Sequence, residues 1–418
     1  MTNEKRELIK SSDMIAENRE AGKQKKLPNQ VKALGLVSFF NDAASEMIYP
    51  LLPAFVVQTL GLGPHVLGVM EGLAETIASL LKFLSGWWSD KLGKRKPLAV
   101  FGYTIASVLR PLMGLASAGW HLVLLRSLDR VGKGIRTAPR DALLAASVTS
   151  EIRGRAFGFH RAMDHAGAAV GPLIALALIS GMALDLRAVF ILTAVPSIVT
   201  IFLIVFAVKE APVVSSALSP TTTEISNGEV AAAQKGNNRS FSVFLISMVL
   251  FTLGNSSDVF LVLLAHERGI PSTLAPVLWL VLHLSKTALS TPGGALSDRI
   301  GRKYAILLGW LTYALTYLGF AFASAPWHIW TLFVAYGFYY GLTEGAEKAM
   351  TADLVPARYR GRGFGLYHLS VGISALPASA AAGYLWKEVG ATAALSLGAG
   401  FAALAALTLA AGMPHKER

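Results

Sequence analysis

The chain has 418 residues, 53% of them hydrophobic and only 15% charged, with a mean hydropathy of +0.50. That balance excludes an ordinary soluble domain. The lack of any cysteine excludes disulfides, thiolate metal sites and a thiol nucleophile.

The first 30 residues are polar and charged, without the apolar core of a cleavable signal peptide. Apolar stretches follow near 33–60, 65–88, 97–116, 120–145, 156–181 and 188–208. A second set lies near 241–265, 273–296, 304–323, 328–352, 363–385 and 390–412. The stretch 188–208 has no charge over 21 residues, enough for a helix to cross a hydrocarbon core of roughly 30 Å. Strand spans would be shorter and would alternate, which disfavours a barrel. The predicted fold is therefore an all-α polytopic membrane protein with twelve transmembrane helices. Its parts are an N-terminal tail (1–32), a six-helix bundle (33–208), a linker (209–240), a second six-helix bundle (241–412) and a C-terminal tail (413–418). The linker is rich in Ser, Thr, Asn and Ala without periodicity, and is read as flexible.

The net charge of +12 fits either a nucleic-acid partner or basic loops on one side of a membrane, and its placement decides. An even number of spans puts both termini on one side. The segments on that side hold Lys91, Lys94, Arg95, Lys96, Arg153, Arg155, Arg299, Arg302, Lys303, Arg358, Arg360 and Arg362, among others. The opposite loops hold little more than Arg187, Arg268 and Lys387. Both termini are expected in the cytoplasm, and nucleic-acid binding is dropped. The halves also repeat. "GWWSDKLGKRK" (Gly86 to Lys96) matches "GALSDRIGRKY" (Gly294 to Tyr304) at an offset of 208. "RGRAFGFH" (Arg153 to His160) matches "RGRGFGLY" (Arg360 to Tyr367) at an offset of 207. Two matches at nearly one offset indicate a duplicated six-span unit, a transporter architecture.

Gly86, Asp90, Lys91, Gly93, Lys94 and Arg95 resemble the loop signature between spans two and three of the major facilitator superfamily. Gly294, Asp298, Arg299, Gly301 and Arg302 resemble its counterpart in the second half. The resemblance covers the whole chain. It implies that these clusters latch a cytoplasmic gate, with Asp90 placed to accept hydrogen bonds from a neighbouring helix N-terminus. It also implies that spans one, four, seven and ten line a central cavity. In span five, "GAAVGPLIA" (Gly167 to Ala175) resembles the core of a signature of antiporting exporters, departing from it at Leu176. A plain packing face with a proline kink is the equal alternative there.

Span four holds "RSLDRVGKGIRTAPRD", from Arg126 to Asp141, in which seven of sixteen residues are charged. Arg126 comes six positions after Trp120, so Arg126, Asp129, Arg130 and Lys133 lie at membrane depth. Helical periodicity gathers them on one stripe, with Leu124, Leu128, Val131 and Ile135 opposite. Charges at that depth cost a few kcal/mol or more against lipid, so the stripe must face protein or a wet cavity. The candidate cavity residues are Asp42, Glu46, Arg126, Asp129, Arg130, Lys133, Arg161, Asp164, His165, Asn255, Asp258, Tyr340 and Glu344. Glu75, Lys82, Arg110, Glu347 and Lys348 are read as ion pairs that tie helices together. Asp42 or Glu46 is the candidate carrier of a coupling proton, with Asp129 next.

No phosphate loop, zinc-hydrolase motif or nucleophile elbow is present in the sequence, so an enzyme and ATP-driven transport are disfavoured. No cofactor or metal is called for. The expected function is secondary active transport of a small organic solute, anionic or zwitterionic, by alternating access across the cytoplasmic membrane. Proton-coupled efflux is preferred. Proton-symport uptake of an organic acid, sugar acid or siderophore-like chelate is the alternative, and a non-transporting receptor or embedded enzyme is the weaker third reading. The expected partners are the solute, protons and membrane lipid, with the chain acting as a monomer.

Overall fold

The computed structural model describes residues 26–61, 65–210, 227–271 and 274–413. The described residues form twelve long helical segments. Helix α1 runs Asn29–Ile48 and continues through short 3-10, α and π turns to Thr59. It is followed by α2 (His65–Leu92), α3 (Lys96–Met113), α4 (Gly119–Ala146) and α5 (Arg153–Leu176, extended by a π turn Ala177–Gly181). Helix α6 is built from Leu186–Leu192, Ala194–Phe202 and a π turn Leu203–Ala207. Helix α7 is in two pieces, Asn227–Gly254 and Val259–Glu267. Then come α8 (Ala275–Ile300), α9 (Arg302–Ala321), α10 (Pro326–Leu354), α11 (Arg360–Glu388) and α12 (Ala391–Gly412).

These helices fall within a few residues of the twelve apolar stretches. The departure is in 209–240: α7 starts at Asn227, inside the stretch read as linker. The segment "GEVAAAQKGNN" has good helix formers, and the absence of apolar periodicity does not stop them from helix formation. The linker residues 211–226 and the tail residues 1–25 and 414–418 lie outside the described residues.

Among the described residues, six helices meet the length and apolar composition needed to cross a membrane, Leu186–Ala207 and Ala391–Gly412 being two of them. Large apolar side chains such as Ile198, Phe202, Phe206 and Leu376 lie exposed on the outside, where a hydrocarbon solvent would cover them. Helix α4 is too charged to meet that test, and its charges turn inward: Arg126, Asp129, Arg130, Arg136, Arg140 and Asp141 are buried, while Leu124 and Leu128 are exposed.

Within the first half, α1 packs on α5 and α6, and α4 packs on α2 and α3. Within the second, α10 packs on α8 and α9, and α12 packs on α7 and α9. The halves meet along α5 with α8 and α2 with α11. Both contacts are backbone to backbone. A Cβ on Gly86 would stand 2.2 Å from the Gly361 carbonyl oxygen, and one on Gly294 would stand 2.2 Å from that of Gly154. The seam is thus closed twice, by repeat-equivalent glycines, at the end of the bundle that carries the two duplicated motifs. We call it the motif end.

Gly86→Ala and Gly294→Ala should each force the halves apart there, at a cost of about 1–3 kcal/mol. Gly400→Ala, whose new methyl would meet nothing within 4 Å, should be neutral. Thermal unfolding of the detergent-purified protein checks this, and unchanged midpoints for both seam variants would contradict the packing.

Candidate functional site

The motif end is held by two matching sets of hydrogen bonds. Asp90 accepts from the backbone N–H of Gly361 at 2.9 Å and of Arg362 at 2.7 Å. Asp298 accepts from the N–H of Gly154 at 2.9 Å and of Arg155 at 2.8 Å. Each carboxylate sits on the first turn of a helix from the other half, where N–H groups lack intrahelical partners and the helix dipole favours an anion. The turns that follow need glycine: Gly93 and Gly301 have φ of +64° and +95°.

The basic residues of the signature divide the work. Arg95 is buried and donates to the carbonyls of Ala142 at 3.2 Å and Ala357 at 2.8 Å, with Asp90 at 4.0 Å. Arg302 pairs with Asp298 and reaches Asp353 at 3.2 Å, and Arg153 pairs with Asp353 too. Lys91, Lys94 and Arg299 are exposed, and Lys91 lies over the ring of Trp87. Glu210, which no sequence motif marked, accepts from the N–H groups of Arg95 and Lys96 and so caps α3.

Above this floor lies a cavity of about 290 Å³. From α1 it is lined by Asp42, Ser45 and Glu46, from α2 by Lys82 and from α3 by Arg110. Helix α4 supplies Arg130, Lys133, Arg136, Thr137 and Arg140, α5 supplies Arg161 and Asp164, and α11 supplies His368. Close glycine contacts bring α4 in: a Cβ on Gly132 would stand 2.6 Å from the Gly102 oxygen of α3, and one on Gly134 would stand 2.5 Å from the Leu81 Cβ of α2.

Six sequence candidates thus reach the cavity wall: Asp42, Glu46, Arg130, Lys133, Arg161 and Asp164. Arg126 and Asp129 lie behind it. Asp129 is gripped by Arg110 at 3.0 Å, Arg130 at 3.4 Å and Arg126 at 3.5 Å. It is a brace for the cationic wall, which sets it apart from the other proton-carrier candidates. His165 is turned to Glu344 at 2.7 Å, and Arg161 joins Asp164 at 3.0 Å and Glu344 at 3.9 Å. Glu344 is therefore consumed by α5.

The expectation that spans seven and ten share the lining does not match this cavity, to which neither gives a described lining residue. Their polar groups close on one another instead. Asp258 accepts from Tyr336 at 2.8 Å and Tyr340 at 3.1 Å, with Lys286 at 3.7 Å and its ammonium over the Tyr340 ring. Asn255 sits at the break in α7, where Tyr313 donates to the Gly254 carbonyl at 2.9 Å. The side chains of Glu71 and Glu75 lie outside the described residues.

Two carboxylates on the wall have no cation within ion-pair distance among the described residues. Asp42 accepts from the Asn41 amide at 2.6 Å, and Glu46 has no described hydrogen-bond partner. Deeper, Asp141 is fully buried and gathers Arg140 at 2.9 Å, Lys348 at 2.9 Å and His368 at 3.0 Å, from α4, α10 and α11. The ion pair of Asp141 with Lys348 joins the two halves.

The model of the Major Facilitator Superfamily matches residues 34–285 and 243–418. The chain belongs to the Major Facilitator Superfamily. It is 36% identical over 369 residues to an uncharacterised MFS-type transporter of Methanocaldococcus jannaschii, covering 87% of this chain and 90% of the relative. It is 29% identical over 318 residues to the multidrug resistance protein MdtG of Salmonella paratyphi C, covering 74% and 75%. In fold it resembles the human organic anion transporter MFSD10, with a TM-score of 0.74 at 15% identity over 92% of this chain and 100% of that one. It also resembles the MFS transporter FucP in the outward conformation, with a TM-score of 0.70 at 12% identity over 92% and 98%. The protein is thus a multi-pass MFS membrane transporter and not an enzyme.

Within this superfamily member, the residues that sequence reasoning passed over are Arg136, Arg140, Asp141 and His368, with Lys82 and Arg110 assigned only to helix pairing. Arg136, Arg140 and Asp141 stand outside the candidate cavity set, but the 28-residue helix that bears them buries all three. A signal for the interdomain pair existed. Asp141 and Lys348 are 207 positions apart, the repeat offset, and so are Arg140 and Glu347. Opposite charges at equivalent positions of a duplicated unit attract across its pseudo-twofold axis.

Lys348→Met should strip a partner from the buried Asp141 and destabilise the protein by about 3–5 kcal/mol. The double variant Asp141→Asn/Lys348→Met should recover part of that loss. A double-mutant cycle on unfolding checks it, and strictly additive losses would show that the pair is not coupled.

Proposed function

We propose that this MFS transporter is a proton-coupled exporter of a small organic solute with an acidic or zwitterionic group, working as a monomer by alternating access. The motif end is the cytoplasmic one, and the arrangement described is the state closed on that side. The observation that carries this reading is the cavity wall: Asp42 and Glu46, two carboxylates with no cation at ion-pair distance among the described residues, share a face one helical turn apart on α1 and look across at a cationic stripe on α4.

A coupling site needs a carboxylate that gains and loses a proton as its surroundings change. An acid locked in an ion pair resists that change, so Asp129, Asp141, Asp164 and Glu344 are poor carriers. Glu46 is the stronger of the remaining two, because Asp42 already accepts from Asn41. In outward-facing access a proton reaches Glu46 from the far side. Its arrival removes a negative charge from beside Arg130 and Lys133, and that changes the affinity of the wall for an acidic solute.

Export is supported by the resemblance of Gly167 to Ala175 to the exporter signature and by the relative named for multidrug resistance. The glycines of that stretch also have a packing role. A Cβ on Gly167 would stand 2.3 Å from the Phe39 oxygen, and one on Gly171 would stand 2.6 Å from the Ala43 oxygen, both on α1. They hold α5 against the helix that bears the two carboxylates.

The test is flux in proteoliposomes with an imposed pH gradient, using labelled candidate solutes. Glu46→Gln should abolish uphill movement and retain exchange at equal concentrations, and Asp42→Asn should have the smaller effect. Uphill transport that persists in the double variant would place coupling elsewhere. Accumulation with the proton flow in place of against it would reverse the assigned direction.

A further inference from the structure

We propose that the solute is a zwitterion, with its acidic group held by Arg136 and its protonated amine by Asp42. This narrows the solute assigned to the cavity, and it rests on the cavity being the substrate site.

Arg136 is the unusual cation of the wall. It is 4% exposed and lines the cavity, yet its Nε and Nη1 make no hydrogen bond. Its guanidinium lies over the Tyr103 ring, 4.5 Å from the centroid, and no carboxylate among the described residues stands within ion-pair distance of it. The other lining cations differ. Arg110, Arg130, Arg140 and Arg161 each have a carboxylate within 3.4 Å, and Lys82 and Lys133 have partners as well. The wall therefore calls for one anion, and its place is Arg136. A buried guanidinium short of hydrogen bonds is costly, and a carboxylate is a partner that its planar donors suit.

The acids of the wall pose the same question with the sign reversed. Asp164 is held by Arg161 at 3.0 Å, but Asp42 and Glu46 have no cation at ion-pair distance among the described residues. Contacts between α1 and α4 give the levels. Ser38 meets Arg140 at 3.4 Å, and the Tyr49 ring lies 5.4 Å from the Arg126 guanidinium, so the two helices run antiparallel. Asp42 is one turn on from Ser38, and Arg136 is one turn back from Arg140, which puts the two at one level of the same cavity. They do not close on each other. Gly167 and Gly171 hold α1 against α5, and Gly132 holds α4 against α3. A zwitterion between them gives Arg136 its anion and Asp42 its cation, each through a charge-assisted hydrogen bond. Asp42 spends Oδ1 on the Asn41 amide, which leaves Oδ2 for an ammonium. Glu46, one turn further along α1, is left for the proton.

The test is binding to the purified full chain, read as ligand-dependent thermal stabilisation and by calorimetry. The probes are glycine, β-alanine and γ-aminobutyrate, against butyrate as the acid alone and butylamine as the amine alone. At least one amino acid should bind tenfold or more tightly than either control. Asp42→Asn should remove its advantage over butyrate, and Arg136→Gln should remove its advantage over butylamine. Arg136→Lys should restore part of that loss. No response to any amino acid, a control that binds as tightly as the best of them, or advantages that survive in both variants would each overturn the proposal. If either variant does not fold, the ranking of the probes on the unaltered protein decides alone. Spin labels across the motif end separate this from the transport reading. A motif end that opens and closes with pH while amino acids are ignored removes the zwitterion only, whereas one that never opens removes transport as well.

Discussion

The arrangement depends on one constraint: a charge facing hydrocarbon costs several kcal/mol, and α4 alone carries seven charges. None of them is left to lipid. The helix rolls its leucines outward and its charges inward, and the neighbouring helices must then supply partners. Arg110 of α3 is brought to Asp129, Lys348 of α10 and His368 of α11 to Asp141, and the α1 backbone at Asn41 to Arg110. The close contact of Gly132 with Gly102 sets α3, which carries Arg110, directly against α4. The cavity is the space these charges keep wet.

The same charges tie the cavity to the seam between halves. Arg140 lines the cavity and holds Asp141, and Asp141 holds Lys348 of the other half. Below them, Asp90 and Asp298 close the motif end on the N-termini of α11 and α5. These bonds are made to backbone and are made twice, so they fix a geometry without depending on any one long side chain. Each is also of the kind that breaks whole. When the helix N-terminus tilts away, both N–H groups leave the carboxylate together.

Much of this was legible in the sequence for physical reasons. A span needs a long apolar run, so twelve runs announced twelve helices. A charge stripe on one helix face follows from 3.6-residue periodicity, so the inward face of α4 was readable from Arg126, Arg130 and Lys133. For Asp90 the resemblance implied bonds to a neighbouring helix N-terminus, which is the kind of partner Gly361 and Arg362 provide. What periodicity does not carry is which charge meets which. Asp129 could have faced the cavity as a proton carrier, but three arginines from two helices converge on it. Asp258, Tyr340 and Glu344 were sought in the cavity and are absorbed by Lys286, Tyr336, His165 and Arg161. The start of α7 at Asn227 escaped because helix propensity in a polar stretch leaves no apolar trace.

The central claim is that the two latches are one seam, which opens as a unit when the halves rock. The sequence has no cysteine, so paired labels can be placed without removing any residue first. Leu92 with Tyr359 brackets the Asp90 latch, and Glu151 with Arg299 brackets the Asp298 latch, all four exposed. Pulsed electron spin distance measurements on each pair, in lipid and across a range of pH, test the claim directly. The account expects both distances to lengthen together, with the same pH midpoint. One distance lengthening while the other stays fixed, or two populations that respond at different pH, would contradict it.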